Sequence, residues 1–293
     1  MTSPTSGHDG ATPTRRTTGQ RTARLFRSGA GALPFGVIVA ACVAIALLAL
    51  PLVALLVRAP WDQLGELLSR ASTLSALGLS LGTALLSTGI CVVLGIPLAL
   101  VLSRSDSAPA IVRRGLRALV TIPLVLPPVV GGVALLLLLG RQGLLGAPLE
   151  ALTGITIPFT TAAVVIAQTF VAMPFLVLAV EGALRGVDAQ ATFAAATLGA
   201  SRWTVLRRVT LPLAAPGILA GTVLCAARAL GEFGATITFA GSFPGTTQTL
   251  PVATYLELQR DPDAAVALAL VLVAVALVTL VSLRDRWVPG VLP

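Results

Sequence analysis

Between Arg70 and Arg104 the chain reads ASTLSALGLSLGTALLSTGICVVLGIPLALVLS, residues 71–103, without one charged side chain. A membrane-spanning helix needs about 20 mostly apolar residues, and this run exceeds that length. Working outward, comparable uncharged runs cover Ser28–Val57, Ala118–Gly140, Ala151–Val180, Val209–Ala227 and Ala264–Leu283. The whole 293-residue chain is 56% apolar and 11% charged, with a mean hydropathy of +0.94. Soluble domains average about 45–50% apolar and about 25% charged. These values exclude a soluble enzyme, a disordered chain and a secreted disulfide scaffold. The expected fold is all-α: a polytopic membrane bundle of six transmembrane helices over residues 33–283.

The net charge of +8 does not imply nucleic acid as a partner. All 20 basic residues are arginine, and they flank the apolar runs instead of forming one basic stripe among aromatics. Segments 1–32, 103–117, 181–208 and 284–293 together hold 15 of them. The opposite loops hold Arg58, Arg70, Arg141 and Arg260. Arginine collects on the cytoplasmic side, so both termini are expected in the cytoplasm. Residues 1–32, rich in Ser, Thr, Gly, Pro and Arg, are expected to form a disordered tail, and 284–293 a short cytoplasmic end. Arg15-Arg16 suggests a twin-arginine signal, but the apolar run behind it is longer than the ~7–15 residues of a signal peptide. Cys42, Cys91 and Cys225 each lie within apolar runs and read as small hydrophobes. The single histidine, His8, falls in the tail. No histidine-based metal or hydrolytic site is therefore available in the membrane body.

Three stretches are candidates for function. The third run contains Pro123, Pro127 and Pro128 followed by Gly131-Gly132. Internal prolines kink a helix and free carbonyls that neighbours must satisfy. Such breaks line pathways or serve packing, and the residues alone leave both open. Between the fourth and fifth runs, Phe193 to Pro212 reads FAAATLGASRWTVLRRVTLP. Its first part is strongly helix-forming, Gly199 provides a stop, and Ser201 can cap a new helix. This helix–turn–helix is either a docking surface or an amphipathic interfacial helix. Finally, Arg228 and Glu232 are spaced i, i+4 in an apolar segment, hence on one helix face. An arginine at the bilayer centre costs about 2.5–3.5 kcal/mol on insertion scales, so Arg228 should face protein or water. If the fifth helix begins near Ala214, Arg228 lies ~21 Å along it, in the outer half of the bilayer. The pair is either polar pathway lining or a structural ion pair. Repulsion of an anion favours the structural role for Glu232. The uncharged stretch Phe233–Leu256, with its glycines, prolines and Thr/Ser/Gln cluster, is expected to leave or re-enter the membrane.

The spacing of Gly199 to Val209-Thr-Leu211-Pro212 resembles the EAA loop of bacterial ABC importer permeases. Leu124-Val-Leu-Pro-Pro-Val-Val, Leu139-Gly-Arg-Gln-Gly and Ala167-Gln-Thr-Phe-Val-Ala-Met-Pro174 are similar to molybdate-type permeases. So are Ala227-Arg-Ala-Leu-Gly-Glu-Phe-Gly-Ala-Thr-Ile-Thr-Phe-Ala-Gly241 and Pro244-Gly-Thr-Thr-Gln-Thr-Leu-Pro251. The resemblance covers roughly residues 75–285. It implies a type I importer permease fold and a coupling loop over 190–212. Ala194, Ala195, Gly199, Val209, Leu211 and Pro212 would serve contact with an ABC ATPase. The position of the family's acidic residue falls at Thr192 or Phe193, neither acidic, so that contact would rest on apolar packing. The resemblance further implies translocation of molybdate, or tungstate, across a bacterial inner membrane, and Pro127, Pro128, Arg228, Glu232 and Thr236 are the candidate lining of its pathway. Substrate would come from an extracytoplasmic oxyanion-binding protein. Sulfate or thiosulfate is the alternative cargo.

No G-x-x-x-x-G-K-[ST] sequence occurs, and no lysine exists to complete one. The chain is expected to be a transport subunit without catalytic residues, metal or cofactor of its own. ATP and Mg would sit on a partner ATPase dimer. One coupling loop per chain against two ATPase grooves implies a second copy of this chain in a closed dimer. A secondary transporter is the other class, but its paired inverted halves are not seen between residues 33–140 and 151–283.

Overall fold

The computed structural model describes residues 34–284, and every regular element in that range is helical. The tail 1–32 and residues 285–293 therefore lie outside the described residues. Two units divide the chain, one ending at Ala54 and one beginning at Leu55. The first contains most of helix α1, Phe35–Val57, a 23-residue apolar helix with Pro51 inside it.

In the second unit, α2 (Leu64–Ser69) leads into the 33-residue α3 (Ala71–Ser103). Then follow α4 (Ala110–Val125), α5 (Pro128–Leu139), α6 (Gly146–Thr153) and α7 (Thr161–Arg185). The centre is a trio of α3, α7 and α10 (Leu211–Leu230), each packed on the other two. The buried face of α3 is made of small residues at helical spacing: Ala76, Ser80, Thr83, Ala84, Ser87, Cys91, Gly95 and Ala99. Several of its hydroxyls bond within the helix, while Ser80 Oγ accepts from Leu250 N at 2.6 Å. Thr83 donates to Leu79 O at 2.8 Å, and Thr88 to Ala84 O at 2.6 Å. Small residues let membrane helices approach closely, and back-bonded hydroxyls cost little there. Cys91 and Cys225 are buried in this core, as their apolar surroundings predict.

The tightest crossing joins α7 and α10. Gly217 and Gly221, one turn apart on α10, face Ala183 and Ala179 of α7. A Cβ on Gly217 would lie 2.3 Å from the Ala183 Cβ, and one on Gly221 2.9 Å from the Ala179 Cβ. Both distances are below any real contact, so glycine at these positions sets the separation of the two helices.

Among the described residues, five helices are long and apolar enough to cross a membrane, and a bent pair makes up to six. The bent pair corrects one expectation. Residues 118–140 do not form one kinked span: α4 and α5 meet at 116°. The double proline explains it. A residue before proline is pushed out of the α region. Leu126 precedes Pro127 and Pro127 precedes Pro128, so two consecutive residues are extended, at ψ 128° and 132°. One such residue kinks a helix; two end it. Pro128 then restarts a helix at a first-turn position, where its missing N–H costs nothing.

Two further boundaries move. The fourth span begins at Thr161, not Ala151, because Gly154 at φ 71° closes α6. The side chain of Thr160 caps α7 by accepting from Ala163 N. The fifth span runs unbroken from Arg202 to Leu230. It includes α9 (Arg202–Val205) and a wide turn over Leu206–Thr210, where Leu211 N reaches back to Leu206 O. Pro212 has no N–H for Arg208 O and its ring crowds that carbonyl. A local π-type turn accommodates the loss without breaking the helix. Beyond α10 lie α11 (Gly234–Phe239), α12 (Leu250–Glu257) and the last span α13 (Pro262–Arg284). The stretch 233–256 is thus two short helices joined by a turn.

Candidate coupling and translocation sites

The candidate coupling loop is built by three local devices. Asp188 Oδ1 accepts from Gln190 N at 2.8 Å and opens α8, Ala189–Thr197. Gly199, at φ 84°, closes it. Gly199 N donates to Ala196 O at 3.0 Å and Ala200 N to Ala195 O at 3.2 Å, the paired bonds of a Schellman motif. Ser201 Oγ then accepts from Thr204 N at 3.2 Å and starts α9. The stop and restart read from the sequence are therefore present, each on the residue that was expected to make it.

Ala194 and Gly199 are exposed, and Ala195 is half-buried. No atom lies within 4 Å of a Cβ placed on Gly199. Val209 and Leu211 are half-buried at the foot of α10, and Pro212 is exposed. Beside them stand Phe193, at one of the two positions where the family's acidic residue would fall, and two residues not singled out in the sequence, Leu198 and Trp203. Phe193, Leu198 and Trp203 are 71%, 88% and 68% exposed. These three large apolar side chains, in α8, at its end and in α9, are accessible in the isolated chain. The signal was present as apolar residues flanking an alanine run, but helical periodicity cannot say whether such a face meets protein, lipid or solvent.

The second site gathers at the α10–α11 junction. Arg228 Nη1 lies 2.7 Å from Glu232 Oε2. Glu232 Oε1 accepts from Ala235 N at 2.8 Å and so caps α11. The Arg228 guanidinium also lies 6.0 Å from the centre of the Phe175 ring, within cation–π range. Glu232 is 1% exposed, whereas 25% of the Arg228 side chain is accessible. Pro128 packs directly on α11: a Cβ on Gly234 would fall 2.9 Å from the Pro128 Cβ. Pro127 O accepts from Val130 N and Gly131 N at 2.9 and 3.1 Å, which fixes the start of α5. Thr236 is fully buried in the same place and its hydroxyl has no partner. The structure thus brings Pro128, Arg228, Glu232 and Thr236 into one region. The coupling residues form a separate one.

A third charged group was not anticipated. Glu181, 5% exposed, accepts from Arg117 of α4 and from Arg185 Nε at 3.0 Å. Arg185 also reaches Asp106, in the turn after α3, at 3.3 Å. The cluster ties α4, α7 and the α3–α4 connection together just before α8. Reading these residues only as loop charges that orient the chain concealed their pairing. Because both arginines are partly solvated, Glu181→Gln is expected to cost about 1–3 kcal/mol, read as a lower thermal midpoint of the purified protein. Arg117→Gln should cost less in that background than alone, since the two share one interaction. Equal costs in both backgrounds would show the arginine and carboxylate to be energetically independent.

Residues 91–289 match the family described as "Binding-protein-dependent transport system inner membrane component". The chain belongs to this family. It is therefore a multi-pass membrane protein and a transport subunit. A relative from Mycobacterium tuberculosis, "Molybdenum transport system permease protein ModB", is 54% identical over 234 residues, covering 80% of this chain and 87% of that protein. A protein of the same name from Haemophilus influenzae is 40% identical over 210 residues, covering 72% and 90%. Among solved structures, a bacterial alginate ABC transporter in complex with an alginate-bound periplasmic protein has a similar fold. Its TM-score is 0.65 at 17% identity, covering 93% of this chain and 98% of that one. An inward-facing MetNI methionine ABC transporter gives 0.55 at 18%, covering 72% and 94%. The all-helical architecture is accordingly that of ABC importer membrane subunits. Among the described residues, no group of three or more His, Cys, Asp or Glu side chains is placed to hold a metal ion.

Proposed function

We propose that this chain is the permease subunit of an ATP-driven importer of molybdate, or of tungstate, an ion of nearly equal size and charge. Its partners are a second copy of itself, an ABC ATPase dimer and an extracytoplasmic oxyanion-binding protein. The observation that carries the reading is the glycine-closed helix α8 and the restart after it, with Phe193, Leu198 and Trp203 exposed along them, in a chain with relatives named molybdenum transport permeases. Residues 33–283 form the permease domain, with the coupling loop at 190–212. The arginine distribution supports an orientation with that loop and both termini in the cytoplasm of a bacterial cell. ATP and Mg belong to the ATPase, since this chain has no lysine for a phosphate-binding loop.

Transport proceeds by alternating access. ATP binding closes the ATPase dimer and moves both coupling helices. The rigid α7–α10 crossing transmits that motion, because the contact at Gly217 and Gly221 leaves no slack. The bundles rock between inward- and outward-open states, an equilibrium biased from both sides. Arg228 contributes attraction for an anion, while Glu232 is withdrawn behind it and occupied as a cap. The carboxylate therefore adds little repulsion at the pathway surface. Pro127, Pro128 and Thr236 shape the same region.

The test is ATP-dependent uptake of labelled molybdate into vesicles bearing this chain, the ATPase and the binding protein, with excess sulfate as competitor. Uptake that persists in sulfate supports the reading. Uptake abolished by sulfate moves the cargo to the sulfate or thiosulfate class. Uptake without any ATPase refutes an ABC mechanism.

A further inference from the structure

Among the described residues, Phe159 is the one non-glycine with a positive φ, at 63°. A bulky side chain is a true outlier in this region of backbone space, and such strain concentrates where function holds it. Nothing in the immediate packing requires the ring, which is 53% exposed. It sits edge-on to Phe243, itself 54% exposed, with centroids 6.1 Å apart and an interplanar angle of 86°.

The second ring is presented by an equally specific frame. Gly241 and Gly245, at φ 75° and 74°, bracket it. Phe243 O accepts from Thr246 N, Thr247 N and Gln248 N at 2.9–3.1 Å, and Phe243 N donates to Thr247 Oγ1 at 2.9 Å. Thr161 Oγ1 donates to Thr246 O at 2.9 Å and ties this turn to the start of α7. A Cβ on Gly241 would lie 3.2 Å from Phe159 Cδ1. Two separate loops are thus locked by their backbones so that two aromatic rings project together.

Lipid is a poor environment for this knuckle. The turn is irregular backbone with exposed polar groups, which hydrocarbon does not tolerate. Such a turn fits the aqueous phase or a protein contact, and paired aromatics mark protein contact sites. Their position identifies which partner. Phe159 precedes the N-terminus of the 25-residue α7, and the C-terminus of α7 leads to the coupling helix. At 1.5 Å per residue the two ends are separated by about 37 Å, more than the ~30 Å membrane core.

We infer that the Phe159–Phe243 knuckle is a docking contact for the extracytoplasmic oxyanion-binding protein. This rests on the function and orientation proposed above. The substitution Phe159→Gly removes the ring and also relieves the backbone, so fold and docking should respond in opposite directions.

The experiment titrates labelled, molybdate-loaded binding protein onto the permease–ATPase complex in lipid nanodiscs. Phe159→Gly should weaken binding about thirtyfold, the scale of a hot-spot residue, with no fall in the thermal midpoint. Phe243→Ala, whose backbone frame is unchanged, should act in the same direction. Uptake by either variant should recover at high binding-protein concentration. Unchanged affinity in both variants overturns the assignment. So does weaker binding accompanied by a lower midpoint or by loss of the dimer, because the rings would then serve packing. A wild-type complex that binds no oxyanion-binding protein refutes the proposed function itself. Wild-type binding with equal variant binding overturns only the docking contact.

Discussion

Gly199→Glu should leave this protein folded and inserted, yet reduce ATP-driven uptake more than tenfold. Two physical terms separate. Within the chain, a non-glycine residue at φ 84° costs about 1–2 kcal/mol, and the Schellman bonds around it are made by backbone atoms that survive the change. No atom lies within 4 Å of the new Cβ, so no clash arises in the isolated subunit. In the complex proposed above, the carboxylate would enter a docking contact beside Phe193, Leu198 and Trp203. An uncompensated charge in an interface costs about 2–5 kcal/mol, and each 1.4 kcal/mol is about tenfold in affinity. The measurement pairs co-purification of the ATPase with vesicle uptake. Gly199→Ala, which carries the strain without the charge, should lose much less. Equal losses in the two variants would assign the effect to backbone strain; full activity of both would remove the loop from coupling.

Gly217→Leu should be the most damaging single change within the bundle. The Cβ alone would overlap Ala183 at 2.3 Å, and the remaining side chain has to displace α10 from α7. Overpacking typically costs about 1–3 kcal/mol, and a backbone-to-backbone crossing has less room to adjust than a core of flexible side chains. The expected result is a lower thermal midpoint and poor recovery of folded protein from membranes. Gly217→Leu combined with Ala183→Gly should recover part of the loss, since the second change removes the atom first struck. No recovery in the double variant would mean that the crossing is set elsewhere.

The contrast between these two glycines shows what could be read from the chain. Gly199 was legible because helix stops and caps are local: a helix-forming run, a glycine and a serine suffice to specify them. Gly217 was not, because nothing in its neighbourhood says that Ala183 lies across from it. The Arg228–Glu232 pair was similarly local, an i, i+4 relation on one helix. Its second role, capping α11 through Ala235 N, needed the break after Leu230 to be seen. Glu181 was hidden for the same reason as Gly217, since its partner Arg117 is 64 residues away.

Sequence by itself determined that this protein is a polytopic helical membrane subunit, with most of its arginines in one set of segments, a helix stop and restart at Gly199 and Ser201, and no lysine-bearing phosphate-loop motif. Those properties follow from short-range rules: span length, charge placement, caps and the absence of lysine. Tertiary structure decided where the third span turns through 116°, which glycines fix the α7–α10 crossing, and which distant charges meet at Glu181. It also decided that Phe159 and Phe243, in loops separated by the whole of α7 and α10, project side by side. The physical reason is that sequence periodicity encodes which face of a helix is apolar, whereas close approach, ion pairing across helices and loop convergence depend on which faces are brought together.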